Sequence, residues 1–215
     1  RQDWDWSNFR ILGVLQRIAL AYGISACLII RYDFRKIMKI LTGILLFYWL
    51  VLWFGGLPEP YKLASNLVRK IDIFILGEKH LYGGFGIKFD PEGLLSTIPT
   101  IGTVLIGYLM GGMLHTTKNY NDCSKRMLLF GSIITLLGYI WGIIFPINKA
   151  LWTSSYVLFT GGIAAIFLST LTYLIDIKKW KRGFWIFEIF GTNSIFLFII
   201  SGLWTKTILN IRLNL

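Results

Sequence analysis

Charged residues are scarce in this 215-residue chain, and acidic residues are half as common as basic ones. Charged residues make up 15% of the sequence, whereas about a quarter is usual in soluble domains. Hydrophobic residues make up 55% and aromatic residues 16%. This composition is not that of an ordinary soluble domain, and it indicates a membrane protein.

Cysteine and histidine are scarce too, with two of each. Cys27 lies in an apolar run and Cys123 in a stretch predicted to be a polar, basic loop, and their spacing fits no zinc, haem or disulfide framework. HExxH and GxSxG are absent, and the glycine pairs lack the strand–turn–helix context of a nucleotide-binding loop. We therefore interpret both thiols as structural and expect no metal.

The formal net charge of +11 suggests a nucleic-acid partner, but that function needs a basic face on a soluble fold. Here Lys and Arg lie mostly in short loops between apolar runs. Membrane topology explains this distribution better, so we expect a lipid bilayer and no nucleic acid as partner.

Six apolar runs reach the roughly 20 residues that a membrane-spanning helix needs. The predicted fold is therefore all-α, a polytopic membrane helix bundle that forms one partial domain over residues 1–215. The predicted spans are 11–30, 37–54, 94–114, 127–145, 151–175 and 184–203. Residues 204–215 either lie at the interface or begin a further span. Because the chain starts with Arg1 rather than Met, we expect it to be a piece of a longer protein.

Lys and Arg concentrate in alternate loops, near residues 31–39, 116–126 and 176–183, which predicts that these loops are cytoplasmic. The residues concerned are Arg31, Arg35, Lys36, Lys39, Lys118, Lys125, Arg126, Lys178, Lys179, Lys181 and Arg182. Tryptophans near predicted span ends, such as Trp4 and Trp6, fit interfacial belts. In the long outer loop, apolar residues at helical spacing predict an amphipathic helix over 61–76 on the membrane surface.

Charged residues where helices begin are costly near lipid and mark a candidate polar site on the outer face. Asp90 is placed as the N-cap of the third span, with Glu92 in its first turn. Asn148 is placed to cap the fifth span, with Lys149 extending outward. Capping explains each residue singly, whereas convergence on one face favours a substrate site.

Span one adds cations to this face. Arg10 and Arg17 are seven residues apart, so a helix would place them on one face, with Gln16 beside it. Asp90 and Glu92 are the expected partners of Arg17, in a structural ion pair or in a substrate site.

Two further polar residues are candidates. His80 lies in the outer loop, where a histidine either transfers protons or has a structural role. Asn193 lies in span six, where an amide bonds across a helix interface or faces a cavity.

Four segments, in the same order, resemble the heparan-α-glucosaminide N-acetyltransferases and their bacterial relatives. They are RILGVLQRI from Arg10, with Ala21-Tyr22 after it, GEKHLY from Gly77, FDPEGL from Phe89, and PINKALWTSSY from Pro146. The likeness covers about residues 10–201, and Asn193-Ser194 is similar to the family's last-span pair.

This resemblance implies a transmembrane acyltransferase of the EC 2.3.1 type in a bacterial inner membrane. It would pass an acetyl group from cytoplasmic acetyl-CoA to an amino sugar on the periplasmic side. The implied substrate-binding residues, including the outer wall of the site, are Arg10, Gln16, Arg17, His80, Asp90, Glu92, Asn148, Lys149, Trp152 and Asn193.

The chain departs from the family pattern in two ways. Leu12 replaces the signature proline, which is expected to straighten or shift the start of span one. The family's acetyl-handling histidine, next to a Trp-Asn-Gly sequence, has no counterpart here, and neither His80 nor His115 fills its role. We therefore expect this chain alone to be inactive.

A secondary transporter, or a non-catalytic membrane protein with an outward-facing polar site, is the alternative reading. The sequence singles out no interface, so a homo-oligomer stays open, as does the true acceptor.

Overall fold

The computed structural model describes residues 9–117 and 119–213. Trp4, Trp6 and Lys118, used above for the predicted belts and orientation, lie outside these residues. The described residues form helices and no strands and are 73% helical. The α-helices described are α1 Val14–Arg31, α2 Phe34–Gly55, α3 Leu67–Leu76, α4 Leu94–Thr116, α5 Tyr120–Trp141, α6 Ser154–Thr172, α7 Trp185–Thr192 and α8 Ser194–Leu213.

Five of these helices are long and apolar enough to cross a membrane: α1, α2, α4, α5 and α6 with its π-helical extension to Ile177. A sixth span results if α7 and the first part of α8 are taken together. The predicted all-α bundle of about six spans is therefore confirmed. The sidedness of its loops stays a prediction.

The chain divides into two compact units, Arg1–Thr170 and Leu171–Leu215. In the first unit, α4 is the central helix and packs against α1, α2, α3 and α5. In an apolar 18-residue stretch of α4, 56% of the residues are buried, against 17–33% in the corresponding stretches of the other four spans. Large apolar side chains on these other helices, such as Leu129, Tyr139 and Phe167, remain exposed, as expected for surfaces that face lipid.

Local caps explain why several helices begin or end away from the predicted bounds. The helix predicted over 61–76 begins only at Leu67, because the Asn66 side chain accepts a hydrogen bond from the Arg69 amide. The fourth predicted span starts early, at Tyr120, because Asn119 caps it. Cys123 is consequently buried in α5 with its Sγ 3.3 Å from Met113 O, so its predicted loop position is wrong.

Helices α5 and α6 approach each other through glycines. A Cβ on Gly138 would lie 2.5 Å from Phe159 N, and one on Gly162 would lie 2.6 Å from Thr135 N. Farther along the same pair, Ser124 and Ser169 exchange buried hydrogen bonds. Small residues that allow backbones to meet, joined by hydroxyl hydrogen bonds, are typical of helix packing in membranes.

The second unit contains a sharp bend. The predicted sixth span, 184–203, is two helices that meet at 83°. The residue between them is Asn193, whose Nδ2 donates to Ile189 O at 2.9 Å, so its side chain bonds the last turn of α7. Such local side-chain bonds compete with helix continuation.

We expect Gly138→Ala to destabilise the protein by about 1–3 kcal/mol, because the added methyl group overlaps the α6 backbone. Gly43→Ala is the matched control, since a Cβ there meets nothing within 4 Å and helix propensity improves. Thermal unfolding in detergent measures both. Equal melting temperatures for the two variants would contradict the close approach of α5 and α6.

Candidate functional site

Three short segments that precede helices meet at one end of the first unit. Residues 9–13 precede α1, residues 89–93 precede α4, and residues 146–153 precede α6. Arg10 binds the second segment, and Arg17, in the first turns of α1, contacts both the second and the third. The structure therefore brings the predicted charged residues together.

An ion pair between Arg10 and Asp90 joins the first two segments. Arg10 Nε donates to Asp90 Oδ2 at 2.8 Å and its Nη2 donates to Oδ1 at 2.7 Å. The same Nη2 also donates to Glu92 Oε2. Asp90 is fully buried, and the Arg10 guanidinium also lies over the Tyr82 ring. The hydrogen bonds to Asp90 are the main cause of a raised pKa of Arg10, and the bond to Glu92 adds to it.

Two predictions about Arg10 and Arg17 are wrong, because α1 begins only at Val14. Arg10 lies in non-helical backbone before it, so the seven-residue spacing does not place the two arginines on one helix face. The second wrong prediction is that Asp90 and Glu92 pair with Arg17. Arg10 binds both carboxylates, whereas Arg17 Nη1 donates to the carbonyl of Pro91 at 2.9 Å.

The capping role predicted for Asp90 is also wrong. The N-cap residue of α4 is Gly93, and Asp90 Oδ1 accepts instead from the Glu92 amide, within a turn. The first amide of the helix, Leu94 N, donates to Asp72 Oδ1 at 2.9 Å. An acidic residue from α3, 22 positions earlier in the chain, thus satisfies the start of α4.

Sequence reasoning missed Asp72. Its Oδ2 is buried without a hydrogen-bond partner among the described residues. A Cβ on Gly93 would lie 1.9 Å from this oxygen, so only glycine fits against the carboxyl. Burial raises the pKa of Asp72 to about 7; the Leu94 amide lowers it and the nearby Asp90 raises it further. The only sequence signal was one carboxylate within the apolar run Ile71-Asp72-Ile73.

Trp152 holds the buried guanidinium of Arg17. The Cζ atom of Arg17 lies 3.9 Å from the centroid of the Trp152 ring, and Trp152 Nε1 donates to Thr103 Oγ1 at 3.2 Å. Trp152 has φ 50°, a left-handed conformation that bulky residues rarely adopt. Strained residues of this kind cluster at functional sites.

Asn148 shapes the turn that carries Trp152 and does not cap α6. Its Oδ1 accepts from the amides of Ala150 and Leu151, at 2.8 and 3.3 Å. The hydroxyl of Thr153 instead accepts from the Tyr156 amide in the first turn of α6. The predicted cap at Asn148 is therefore corrected to Thr153, five residues later.

A cavity of about 310 Å³, here called the polar pocket, lies between the second and third segments and the first turn of α1. Its lining residues are Arg17, Phe85, Pro91, Glu92, Lys149, Ala150 and Trp152. The Glu92 side chain is 15% exposed and Lys149 is exposed at the surface. Four of the predicted site residues therefore share one cavity.

The remaining predicted residues have other positions. Gln16 is exposed on α1, next to Gly13. His80 Nδ1 lies 2.7 Å from the carbonyl oxygen of Phe9 and, because a carbonyl only accepts, Nδ1 carries the proton. His80 thus anchors the segment that carries Arg10. Asn193 lies in the second unit, at the bend described above.

These features define a polytopic helical membrane protein with a charged pocket at one end of its bundle. The chain is 28% identical over 255 residues to heparan-alpha-glucosaminide N-acetyltransferase of Mus musculus, and 26% identical to the Homo sapiens protein of that name. These alignments cover 91% of the chain and 37–38% of the relatives, so the chain spans less than two fifths of their length. No family model matches. The resemblance seen in the four motifs is confirmed, and it supports an acetyltransferase family.

We expect the stability of the protein to fall as pH rises from about 4 to about 7. Asp72 has a folded pKa of about 7 against an ordinary value of 3.8, so between these values the folded state binds the extra proton. Its stabilising effect is full at low pH and is lost as pH rises through the folded pKa. Thermal unfolding across this range measures the effect.

Asp72→Asn is the informative variant, because an amide oxygen still accepts from Leu94 N but does not ionise. We expect its unfolding temperature to depend less on pH than that of the parent protein. Parallel pH profiles for the two proteins would rule out Asp72 as the titrating group.

Proposed function

We propose that the protein is a membrane-bound acyltransferase that passes an acetyl group from cytoplasmic acetyl-CoA to an amino sugar on the periplasmic side of a bacterial inner membrane. One observation carries the proposal. Residues from three of the four motifs that resemble the N-acetyltransferases, namely Arg17, Glu92, Lys149 and Trp152, line a single pocket. Side chains from distant segments that converge on one cavity are typical of a substrate site.

Glu92 is the carboxylate that meets the acceptor in this proposal. It lines the polar pocket, whereas Asp90 is fully buried behind it against Arg10. Glu92 would accept hydrogen bonds from sugar hydroxyls or from the amino group. Asp90 would act only as a positioning residue, since it fixes Arg10, which in turn binds Glu92.

Arg17 and Lys149 are the cations that line the pocket. Attack of the sugar amine on the acetyl carbonyl develops negative charge on the carbonyl oxygen. Fixed positive groups at that oxygen lower the barrier. Arg17 is held by Trp152 and Pro91 and so is pre-oriented for this role.

The base or acetyl carrier lies outside this chain in our proposal. In the family that the motifs resemble, this group is a histidine in a region without a counterpart here. His80 is not assigned this role, because it does not line the polar pocket. The present residues would bind and orient the acceptor, and the chain alone would be inactive.

In the full-length protein, Glu92→Gln is expected to lower acetyl transfer to glucosamine about 10- to 100-fold, through loss of a charge-assisted hydrogen bond. Radiolabelled acetyl-CoA with protein in vesicles provides the measurement. Glu59→Gln is the control, because Glu59 is an exposed carboxylate that pairs only with Lys62 among the described residues. An unchanged rate for Glu92→Gln would remove Glu92 from the substrate site.

The chain expressed alone in vesicles is expected to transfer no acetyl group from labelled acetyl-CoA to glucosamine. The full-length protein under the same conditions is the positive control. Clear acetylation by the chain alone would contradict the proposal that the reactive group lies elsewhere.

A secondary transporter is the second candidate, and the bent pair α7–α8 favours it, because broken helices form transporter binding sites. The vesicle assay separates the two functions. An acyltransferase yields acetylated sugar, whereas a transporter moves unmodified sugar into the vesicle.

A further inference from the structure

The polar pocket is lined by more positive than negative side chains. Its charged lining residues are Arg17, Lys149 and Glu92. Glu92 is already bound by Arg10 from outside the pocket. Within the described residues, no carboxylate lies within 4.0 Å of Arg17 or Lys149. Among the described residues, neither cation that faces the cavity therefore forms a direct ion pair.

Arg17 is the more informative of the two cations, because it is only 5% exposed. A guanidinium has five N–H donors, and among the described residues its one hydrogen bond is from Nη1 to Pro91 O. Burial of a charge is costly unless it is paired and hydrogen-bonded. A ligand that supplies negative oxygen atoms would meet this requirement.

The contact with Trp152 leaves the edge of the Arg17 guanidinium available to a ligand. The indole ring lies over the face of the guanidinium, with 3.9 Å from Cζ to the ring centroid. Contact with the face leaves N–H groups at the edge, which form paired bonds to carboxylate, phosphate or sulfate oxygens. Trp152 keeps this position with its backbone in the left-handed region.

We propose that the polar pocket binds an oxyanion group carried by the acceptor sugar, with Arg17 as its main partner and Lys149 as a second cation at the surface. The substrate class is therefore an acidic amino sugar, one that bears a carboxylate, phosphate or sulfate besides its amine. This deepens the proposed function and rests on it for the identity of the sugar.

Two observations favour an oxyanion on the sugar over a free anion. The cavity volume of about 310 Å³ is at the lower end for small-molecule sites, which suits one sugar ring with a substituent. Glu92 lines the same cavity as the two cations, so acceptors for hydroxyl or ammonium groups lie beside donors for an oxyanion. A single ligand with both kinds of group satisfies all three side chains.

The test measures binding to the full-length protein in nanodiscs by calorimetry, with glucosamine 6-phosphate, glucosamine and inorganic phosphate as probes. We expect the sugar phosphate to bind about 10- to 100-fold more tightly than glucosamine. Arg17→Gln should abolish this difference. Arg17→Lys should restore it only in part, since an ammonium forms no bidentate pair.

Lys149→Gln gives a second route if Arg17 variants do not fold, because Lys149 is exposed. It should weaken binding of glucosamine 6-phosphate several-fold more than binding of glucosamine. Lys70→Gln is the matched control, because Lys70 is an exposed lysine on α3 that does not line the polar pocket. It should change neither.

Equal affinity for glucosamine and glucosamine 6-phosphate would overturn the proposal. Phosphate that binds as tightly as the sugar phosphate would overturn its assignment to the sugar and would indicate free phosphate or a lipid headgroup. Displacement of the sugar phosphate by coenzyme A would assign the site to the donor instead. Because binding is measured without acetyl transfer, failure of the proposed reaction and failure of this inference are distinguishable.

Discussion

The pair between Arg10 and Asp90 determines how the charged end of this protein is arranged. Its partners are 80 residues apart, and Asp90 is fully buried. An ionised carboxylate buried without a cation would be strongly destabilising, so the segment before α1 must lie against the segment before α4. That contact places α1 so that Arg17 reaches the Pro91 carbonyl and the Trp152 ring. The polar pocket forms where these contacts meet.

A second carboxylate supports the same region from the other side. Asp72 on α3 accepts from the first amide of α4, the central and most buried of the membrane helices. Gly93 allows this approach, because any side chain there would overlap the Asp72 carboxyl. The loop between α2 and α4 is thus part of the structural core at this end, since α3 satisfies the first amide of a membrane helix. His80 lies in the same loop and bonds the Phe9 carbonyl, so it holds the segment that precedes α1.

The membrane helices could be predicted from the sequence because a long apolar run has few alternatives to a helix in lipid. Their ends could not. The group that satisfies a helix start can come from another helix, as Asp72 does at α4, or from one of several polar residues before the helix, as Thr153 does at α6. The ion pairs were assigned to the wrong arginine for a related reason. Helical spacing was extended to Arg10, which lies before the helix begins.

The candidate site, too, could be predicted only in part from the sequence. Charge at helix starts identified Arg17, Glu92 and Lys149 as neighbours, because the segments that carry them were all predicted on one face of the membrane. Nothing in the sequence indicated that the backbone at Trp152 is left-handed or that its ring faces Arg17. Such contacts depend on tertiary packing, which hydropathy and spacing do not describe.

The backbone conformation at Trp152 has a further consequence for the stability of this turn. At φ 50° a glycine would be relaxed, whereas an indole side chain adds steric strain. The backbone and the side chain at this one position therefore favour different amino acids. The protein keeps the residue that holds the guanidinium and forgoes the more stable turn. Conformational stability and the contact with Arg17 are thus opposed at a single residue.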